Sequence, residues 1–123
     1  MRLLAFVTIL NVMISLGFAT AGVVRPDAIL PASMSAAPAA TTFALYAFAR
    51  SLILAGCVVA AVARRRGAEL WLLGVIGALV QIADAAVGAY QADVGKTIGP
   101  LLVAALQVGA LALARRSPAW SAQ

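Results

Sequence analysis

Four long apolar stretches, separated by short polar segments, make up most of this chain. A helix that crosses the hydrocarbon core of a bilayer needs about 20 apolar residues, within a range of about 17–25. The stretches have 22, 22, 21 and 17 residues, so each is long enough. They are rich in Ala and Leu and show no period-two alternation, which argues against strands. The pattern predicts four membrane-spanning helices over residues 3–24, 42–63, 70–90 and 98–114.

Composition places these helices in lipid. Hydrophobic residues form 64% of the chain and charged residues 11%, with a mean hydropathy of +1.04. A soluble domain is about half apolar and about a quarter charged, so 123 residues could not bury this much apolar surface. We therefore predict one all-α transmembrane domain over residues 1–123, an integral membrane four-helix bundle of up-down-up-down connectivity.

The distribution of cations predicts the orientation. With four spans, six arginines fall on one side of the membrane and two cations on the other. The six are Arg2, Arg64, Arg65, Arg66, Arg115 and Arg116, and the two are Arg25 and Lys96. The positive-inside rule then predicts both termini in the cytoplasm of a multi-pass membrane protein. These cations lie beside apolar runs and form no basic face with aromatic residues, so we expect no nucleic-acid binding.

The first stretch has a second interpretation. Arg2, an apolar run and Ala19-Thr20-Ala21 are similar to a secretory signal with its cleavage site. The run is long for such a signal, however, and Asn11 and Ser15 interrupt it. We expect the segment to be retained as a helix of the bundle.

Small or polar residues recur at helical spacing in every stretch and predict the faces that meet in the bundle interior. For the glycines and alanines, close helix packing is a sufficient explanation. The four stripes comprise Thr8, Asn11, Ser15 and Gly22; Tyr46, Arg50, Ile53 and Cys57; Gly74, Gly77, Gln81, Asp84, Gly88 and Gln91; and Pro100, Ala104, Gln107 and Ala114.

Arg50 and Asp84 are charges inside apolar stretches, where a charge costs about 2.5–3.5 kcal/mol on insertion scales. Counted from the outer ends of their predicted spans, they lie about 12 Å and about 9 Å deep. We expect them to pair between the second and third helices, either as a structural clamp alone or as a clamp that also lines a ligand or proton site. The predicted ligand-binding residues in this outer half are Tyr46, Arg50, Gln81, Asp84, Gln107 and Ser15.

Several site types are not expected. The chain has no His and one Cys, so neither a metal site nor a cofactor is predicted, and Cys57 is interpreted as an apolar filler. The segment Arg25–Thr41 is predicted to form a short interfacial element that covers the outer pocket. Its apolar face would come from Ile29, Leu30 and Met34.

Several short motifs resemble the DoxX-like and related families of small four-helix bacterial membrane proteins of unknown function. The motifs are Tyr46-Ala47-Phe48-Ala49-Arg50-Ser51-Leu52, the basic turn Arg64–Arg66, Val80-Gln81-Ile82-Ala83-Asp84-Ala85 and Gly99-Pro100. The resemblance implies a four-helix, multi-pass protein of the bacterial inner membrane without an assigned activity. Some DoxX-type relatives are associated with quinone-linked sulfur oxidation or redox stress, but this chain has no His to support a redox centre.

Two classes of function remain open. The first is a binding or accessory protein whose partners are membrane lipid and a hydrophobic small molecule, such as a lipid or quinone. The second is a membrane enzyme of the isomerase or cofactor-free oxygenase type, with Asp84 as acid/base and Arg50 beside it. A transporter is a weaker third interpretation, because four spans would need a homodimer to supply the usual repeats.

Overall fold

The computed structural model describes residues 1–29 and 38–116, which form an all-α protein. The helices are α1 (Arg2–Val24), α2 (Pro38–Ala63), α3 (Gly67–Tyr90) and α4 (Val94–Arg115), and a 3₁₀ turn, Pro26–Ile29, follows α1. All four are long and apolar enough to cross a membrane, with mean hydropathies of 1.9–2.1. The predicted helical class is confirmed, and the described residues contain the four predicted helices, as expected of a multi-pass membrane protein.

Three helices, α2, α3 and α4, begin three or four residues earlier than the hydropathy pattern predicts. α2 begins at Pro38, a residue suited to the first helical position because it has no amide hydrogen to leave unpaired. α4 begins after Asp93, whose side chain accepts a hydrogen bond of 3.1 Å from the backbone N–H of Lys96. Hydropathy does not detect such polar first turns, because the residues that start a helix differ from those that face lipid.

The connections from α2 to α3 and from α3 to α4 are three residues long and close with the same capping pattern. In the first, the N–H of Arg66 bonds the carbonyl of Ala61 at 2.9 Å. In the second, the N–H of Asp93 bonds the carbonyl of Gly88 at 3.0 Å. These are Schellman caps, and each requires one residue in the left-handed conformation. Arg65 and Ala92, with φ of 54° and 53°, occupy that position without being glycine.

The helices are not packed equally. α1 contacts the other three helices, and α2 lies mainly against α1, while no contact joins the described parts of α2 and α4. α3 and α4 run antiparallel, since Gly88 lies against Lys96 and Gly74 lies against Gln107. α1 runs parallel to α3, with Thr8 near Gly74 and Asn11 near Gly77.

Large apolar side chains cover the outside of the bundle. Phe6 and Phe18 on α1, Leu79 on α3 and Leu106 on α4 are each at least 60% exposed. The buried positions are mostly alanines and glycines, and the interior also contains wholly buried polar side chains. A water-soluble bundle would place its bulkiest apolar side chains inside. The exterior therefore matches a lipid solvent.

The polar stripes of α1, α3 and α4 face the interior as predicted, with Asn11, Gln81 and Gln107 at most 3% exposed. The prediction for α2 is wrong, because its stripe faces outward: Tyr46 and Ile53 are 72% and 68% exposed. α2 buries a row of small residues instead, comprising Ala44, Ala55, Val58 and Ala61. Small side chains let its backbone approach α1 closely, and this contact selects the buried face.

Candidate functional site

A chain of hydrogen-bonded polar side chains, here called the polar spine, joins α1, α3 and α4. It comprises Thr8, Asn11, Ser15, Gln81 and Gln107. The Gln81 amide Nε2 donates to Asn11 Oδ1 at 2.7 Å and to Ser15 Oγ at 3.1 Å. Asn11 Nδ2 donates to Gln107 Oε1 at 3.3 Å, and Gln107 Nε2 donates to Thr8 Oγ1 at 2.9 Å. Buried polar groups in lipid need such partners, so the spine links the helices that contribute them.

Two glycines of α3 make room for the spine. A Cβ added at Gly74 would lie 2.8 Å from Gln107 Nε2, and one added at Gly77 would lie 3.0 Å from Asn11 Nδ2. Both distances are closer than ordinary van der Waals contact. The amides of α1 and α4 therefore rest directly on the backbone of α3, which explains why glycines accompany Gln81 on its stripe.

Beyond the Ser15 end of the spine lies a cavity of about 450 Å³, here called the interhelical pocket. It is lined by the C-terminal halves of α1 and α3 and the N-terminal halves of α2 and α4. Its volume falls within the range of about 300–1,000 Å³ that is usual for small-molecule sites. Most of its wall is apolar or glycine, and its polar lining residues are Ser15, Arg50, Ser51, Gln81, Asp84, Gln91 and Lys96.

Arg50 and Asp84 both line the interhelical pocket but do not form the predicted ion pair. Arg66 with Glu69 and Lys96 with Asp93 are charged groups within 4.0 Å of each other, whereas Arg50 and Asp84 are not such a pair. The expected clamp is therefore wrong as a direct contact. α2 packs mainly on α1 and only lightly on α3, so Arg50 and Asp84 share the pocket wall without direct contact.

The remaining predicted site residues divide into two groups. Ser15 and Gln81 lie in the pocket wall, beside Arg50 and Asp84. Tyr46 is 72% exposed on the outer face of α2 and is not part of the wall. Gln107 is fully buried within the spine, below the pocket. Their assignment to a ligand stays a prediction.

Sequence reasoning missed Lys96 as a pocket residue, because it assigned this lysine to a loop. The capping of α4 by Asp93 extends that helix by one turn, and Lys96 then shares the stripe of Pro100 and Gln107 at helical spacing. The lysine Nζ lies 3.0 Å from the Asp93 carboxylate. The sequence does contain a signal for this earlier helix start, because an Asp lies three residues before a Lys at the edge of an apolar run.

Asp93 lies just outside the spans, and its surroundings favour the ionised carboxylate. Hydrogen bonds from Lys96, first from its backbone N–H and then from its side chain, hold the pKa of Asp93 below its usual value. The charge also lies at the N-terminus of α4, where the helix dipole favours an anion.

The predicted cover over the pocket is described only in part. Pro26–Ile29 forms a 3₁₀ turn that contacts α1 and α2. Leu30 and Met34, which were to supply its apolar face, lie outside the described residues.

The site offers no metal-binding cluster: within residues 1–29 and 38–116, no three His, Cys, Asp or Glu side chains come together. Cys57 is exposed on the outer surface of α2 rather than packed as a filler. Comparison of the chain with protein-family models, curated proteins and solved structures finds no match.

Proposed function

We propose that this chain is a bacterial inner-membrane protein that holds an amphiphilic small molecule, such as a lipid or quinone, in the interhelical pocket. The helices would cross in up-down-up-down order with both termini in the cytoplasm, since the six-arginine side then faces inward. The pocket would lie in the outer half of the membrane. A relationship to DoxX-like proteins is part of this proposal and rests on the motifs around Arg50 and Asp84.

The observation that carries the proposal is the composition of the pocket wall. Ser15, Gln81, Asp84 and Arg50 supply hydrogen-bond donors and acceptors in the wall, while Phe18 and other apolar side chains form much of the remaining surface. Ligand pockets typically combine an apolar lining with a few polar groups that orient the ligand. A molecule with a polar head and an apolar tail fits both parts.

Two glycines of α4 provide a matched test. A Cβ at Gly99 or at Gly109 would meet nothing within 4 Å, so a side chain can start from either position without backbone displacement. Gly99 lines the pocket, whereas Gly109 does not. Gly99→Leu should reduce the pocket volume, and Gly109→Leu should add only lipid-facing surface.

The test compares the two variants with the wild type in mild detergent. Native mass spectrometry would detect co-purified small molecules, and titration with an acyl-chain fluorescent phospholipid and a short-chain quinone would measure binding. We expect Gly99→Leu to lose the bound molecule and Gly109→Leu to retain it. Equal retention by both variants would contradict the proposal.

A second candidate function is favoured by the position of Asp84. Its carboxylate lines the pocket and, because the expected ion pair with Arg50 is absent, is not neutralised by direct contact. Such a carboxylate can accept a proton from a bound substrate, as an isomerase or cofactor-free oxygenase requires. Incubation with a membrane lipid extract, followed by mass spectrometry, separates the functions. An enzyme would convert a component, Asp84→Asn would not, and a binding protein would return it unchanged.

A further inference from the structure

Two opposite charges face one pocket without touching each other. Arg50 projects from α2 and Asp84 from α3, both side chains line the wall, and their charged atoms lie more than 4.0 Å apart. Arg50 is exposed on the bundle surface and Asp84 is half-buried. A charge at membrane depth is costly unless a partner or a ligand satisfies it. The two separated charges therefore influence which lipid headgroup the pocket accepts.

The pocket carries no excess charge that would favour a simple ion. Its third ionised group, Lys96, is neutralised by Asp93 at 3.0 Å. The two other charges, Arg50 and Asp84, balance each other. An anionic headgroup on Arg50 would bring a negative charge near Asp84, and a cationic headgroup on Asp84 would bring a positive charge near Arg50. Either ion alone meets repulsion as well as attraction.

Building on the proposed function, we infer that the pocket binds a membrane phospholipid whose headgroup carries both a phosphate and a primary ammonium, as phosphoethanolamine does. The Arg50 guanidinium donates to the phosphate, a geometry in which two N–H groups meet two oxygens. The ammonium donates to the Asp84 carboxylate. The headgroup thus completes a line of alternating charge between α2 and α3.

The neighbouring groups fit this headgroup. Gln81 and Ser15, at the end of the polar spine, line the same pocket. Their side-chain oxygens can accept hydrogen bonds from the ammonium, and the Ser15 O–H can donate to an ester oxygen. Phe18, Val87 and Val103 line the wall and provide apolar contact for an acyl chain.

The test measures the affinity of detergent-solubilised protein for three phospholipids with the same fluorescent acyl chain and different headgroups. These are phosphoethanolamine, phosphoglycerol, which lacks the ammonium, and phosphocholine, whose ammonium has no hydrogen to donate. The wild type should bind the phosphoethanolamine lipid roughly ten-fold more tightly than the other two. Free phosphoethanolamine should compete only weakly, which distinguishes a lipid site from a soluble-metabolite site.

Four variants assign the selectivity to the two charges. Asp84→Asn should lower the affinity for the phosphoethanolamine lipid and raise the affinity for the phosphoglycerol lipid. The ratio of the two affinities should then fall to about one. Arg50→Gln should lower the affinity for both lipids. Arg50→Lys keeps the positive charge and should preserve the preference, which shows that a change at this position does not by itself disrupt the fold. Arg116→Gln is the matched control, since it removes one exposed positive charge outside the pocket wall and should change nothing.

The outcomes distinguish this inference from the proposed function. A wild-type preference for the phosphoglycerol lipid would overturn the headgroup assignment. So would an equal loss of affinity for the phosphoethanolamine and phosphoglycerol lipids in Asp84→Asn. If Gly99→Leu still abolished binding in that case, the pocket function would stand without the zwitterionic ligand. Binding that is insensitive to Gly99→Leu would instead overturn the pocket function itself.

Discussion

Gly88 of α3 packs directly against the backbone carbonyl of Lys96 in α4. A Cβ added at Gly88 would overlap the carbonyl carbon and oxygen of Lys96 and lie 2.7 Å from the amide nitrogen of Thr97. Pro100, four residues after Lys96, has no amide hydrogen to donate to that carbonyl. Glycine is therefore required where α3 crosses α4 beside the interhelical pocket.

The first prediction is that Gly88→Ala destabilises the protein by about 1–3 kcal/mol, the usual cost of overpacking a tight contact. The obstacle is backbone rather than a flexible side chain, so the helices must separate. Thermal unfolding in detergent measures the loss. Gly109→Ala is the control, because its Cβ meets nothing within 4 Å and alanine favours the helix. A Gly88→Ala protein as stable as this control would contradict the close approach.

The second prediction concerns the polar spine. Gln107→Leu removes the partners of Asn11 Nδ2 and Thr8 Oγ1, and hydrogen bonds between membrane helices contribute about 0.6–1.7 kcal/mol each. Asn11→Leu should be comparably destabilising. Because the two side chains share a bond, the losses should not add in the double variant. Additive losses, measured by reversible unfolding in mixed micelles, would show that the spine contributes no coupling.

The third prediction exploits the left-handed residue between α3 and α4. Ala92 has φ of 53°, a conformation that costs a non-glycine residue about 1–2 kcal/mol. Ala92→Gly should therefore raise the unfolding temperature despite the greater backbone entropy of glycine in the unfolded chain. Ala89→Gly, three residues earlier within α3, should lower it by removing a helix-favouring residue. Lower stability in both variants would exclude a left-handed residue at position 92.

The fourth prediction is a pH dependence at the start of α4. The folded-state pKa of Asp93 is lower than its ordinary value because Lys96 donates hydrogen bonds to the carboxylate. A lowered pKa means that the ionised cap stabilises the fold above the ordinary Asp pKa of about 3.9. That stabilisation is lost as pH falls below this value and through the lowered one.

Two variants test the Asp93 assignment by thermal unfolding between neutral and acidic pH. Asp93→Asn keeps a capping side chain without the charge and should flatten the pH profile. Asp93→Ala should flatten it and also lower stability at neutral pH. An unchanged acid transition in Asp93→Asn would assign the transition to another carboxylate.

The fifth prediction concerns orientation. The arginine-rich end of the bundle holds the start of α3 and the end of α4, since Arg115 stacks on the Trp71 ring at 4.3 Å. With this end in the cytoplasm, green fluorescent protein fused after Gln123 should fluoresce. Alkaline phosphatase inserted near Ser35, outside the described residues, should be active. An active phosphatase at the C-terminus would reverse the orientation.

Predictions from the sequence were most accurate where a polar residue needed a partner. Asn11, Gln81 and Gln107 could not face lipid without cost, so the stripes that contain them had to meet. The α2 stripe failed because three of its members, Tyr46, Ile53 and Cys57, are tolerated at a lipid surface. Lys96 was missed because its helical register depends on the Asp93 cap and not on hydropathy.

The sequence by itself determined four apolar helices, since a chain in lipid must satisfy its backbone hydrogen bonds within each span. It also determined which faces of α1, α3 and α4 lie inside. Only the tertiary structure decided which face of α2 packs, because lipid is as apolar as a leucine and gives no hydrophobic preference between two faces. That choice followed from the close approach of small residues to α1. It also left Arg50 and Asp84 in the wall of one pocket without direct contact.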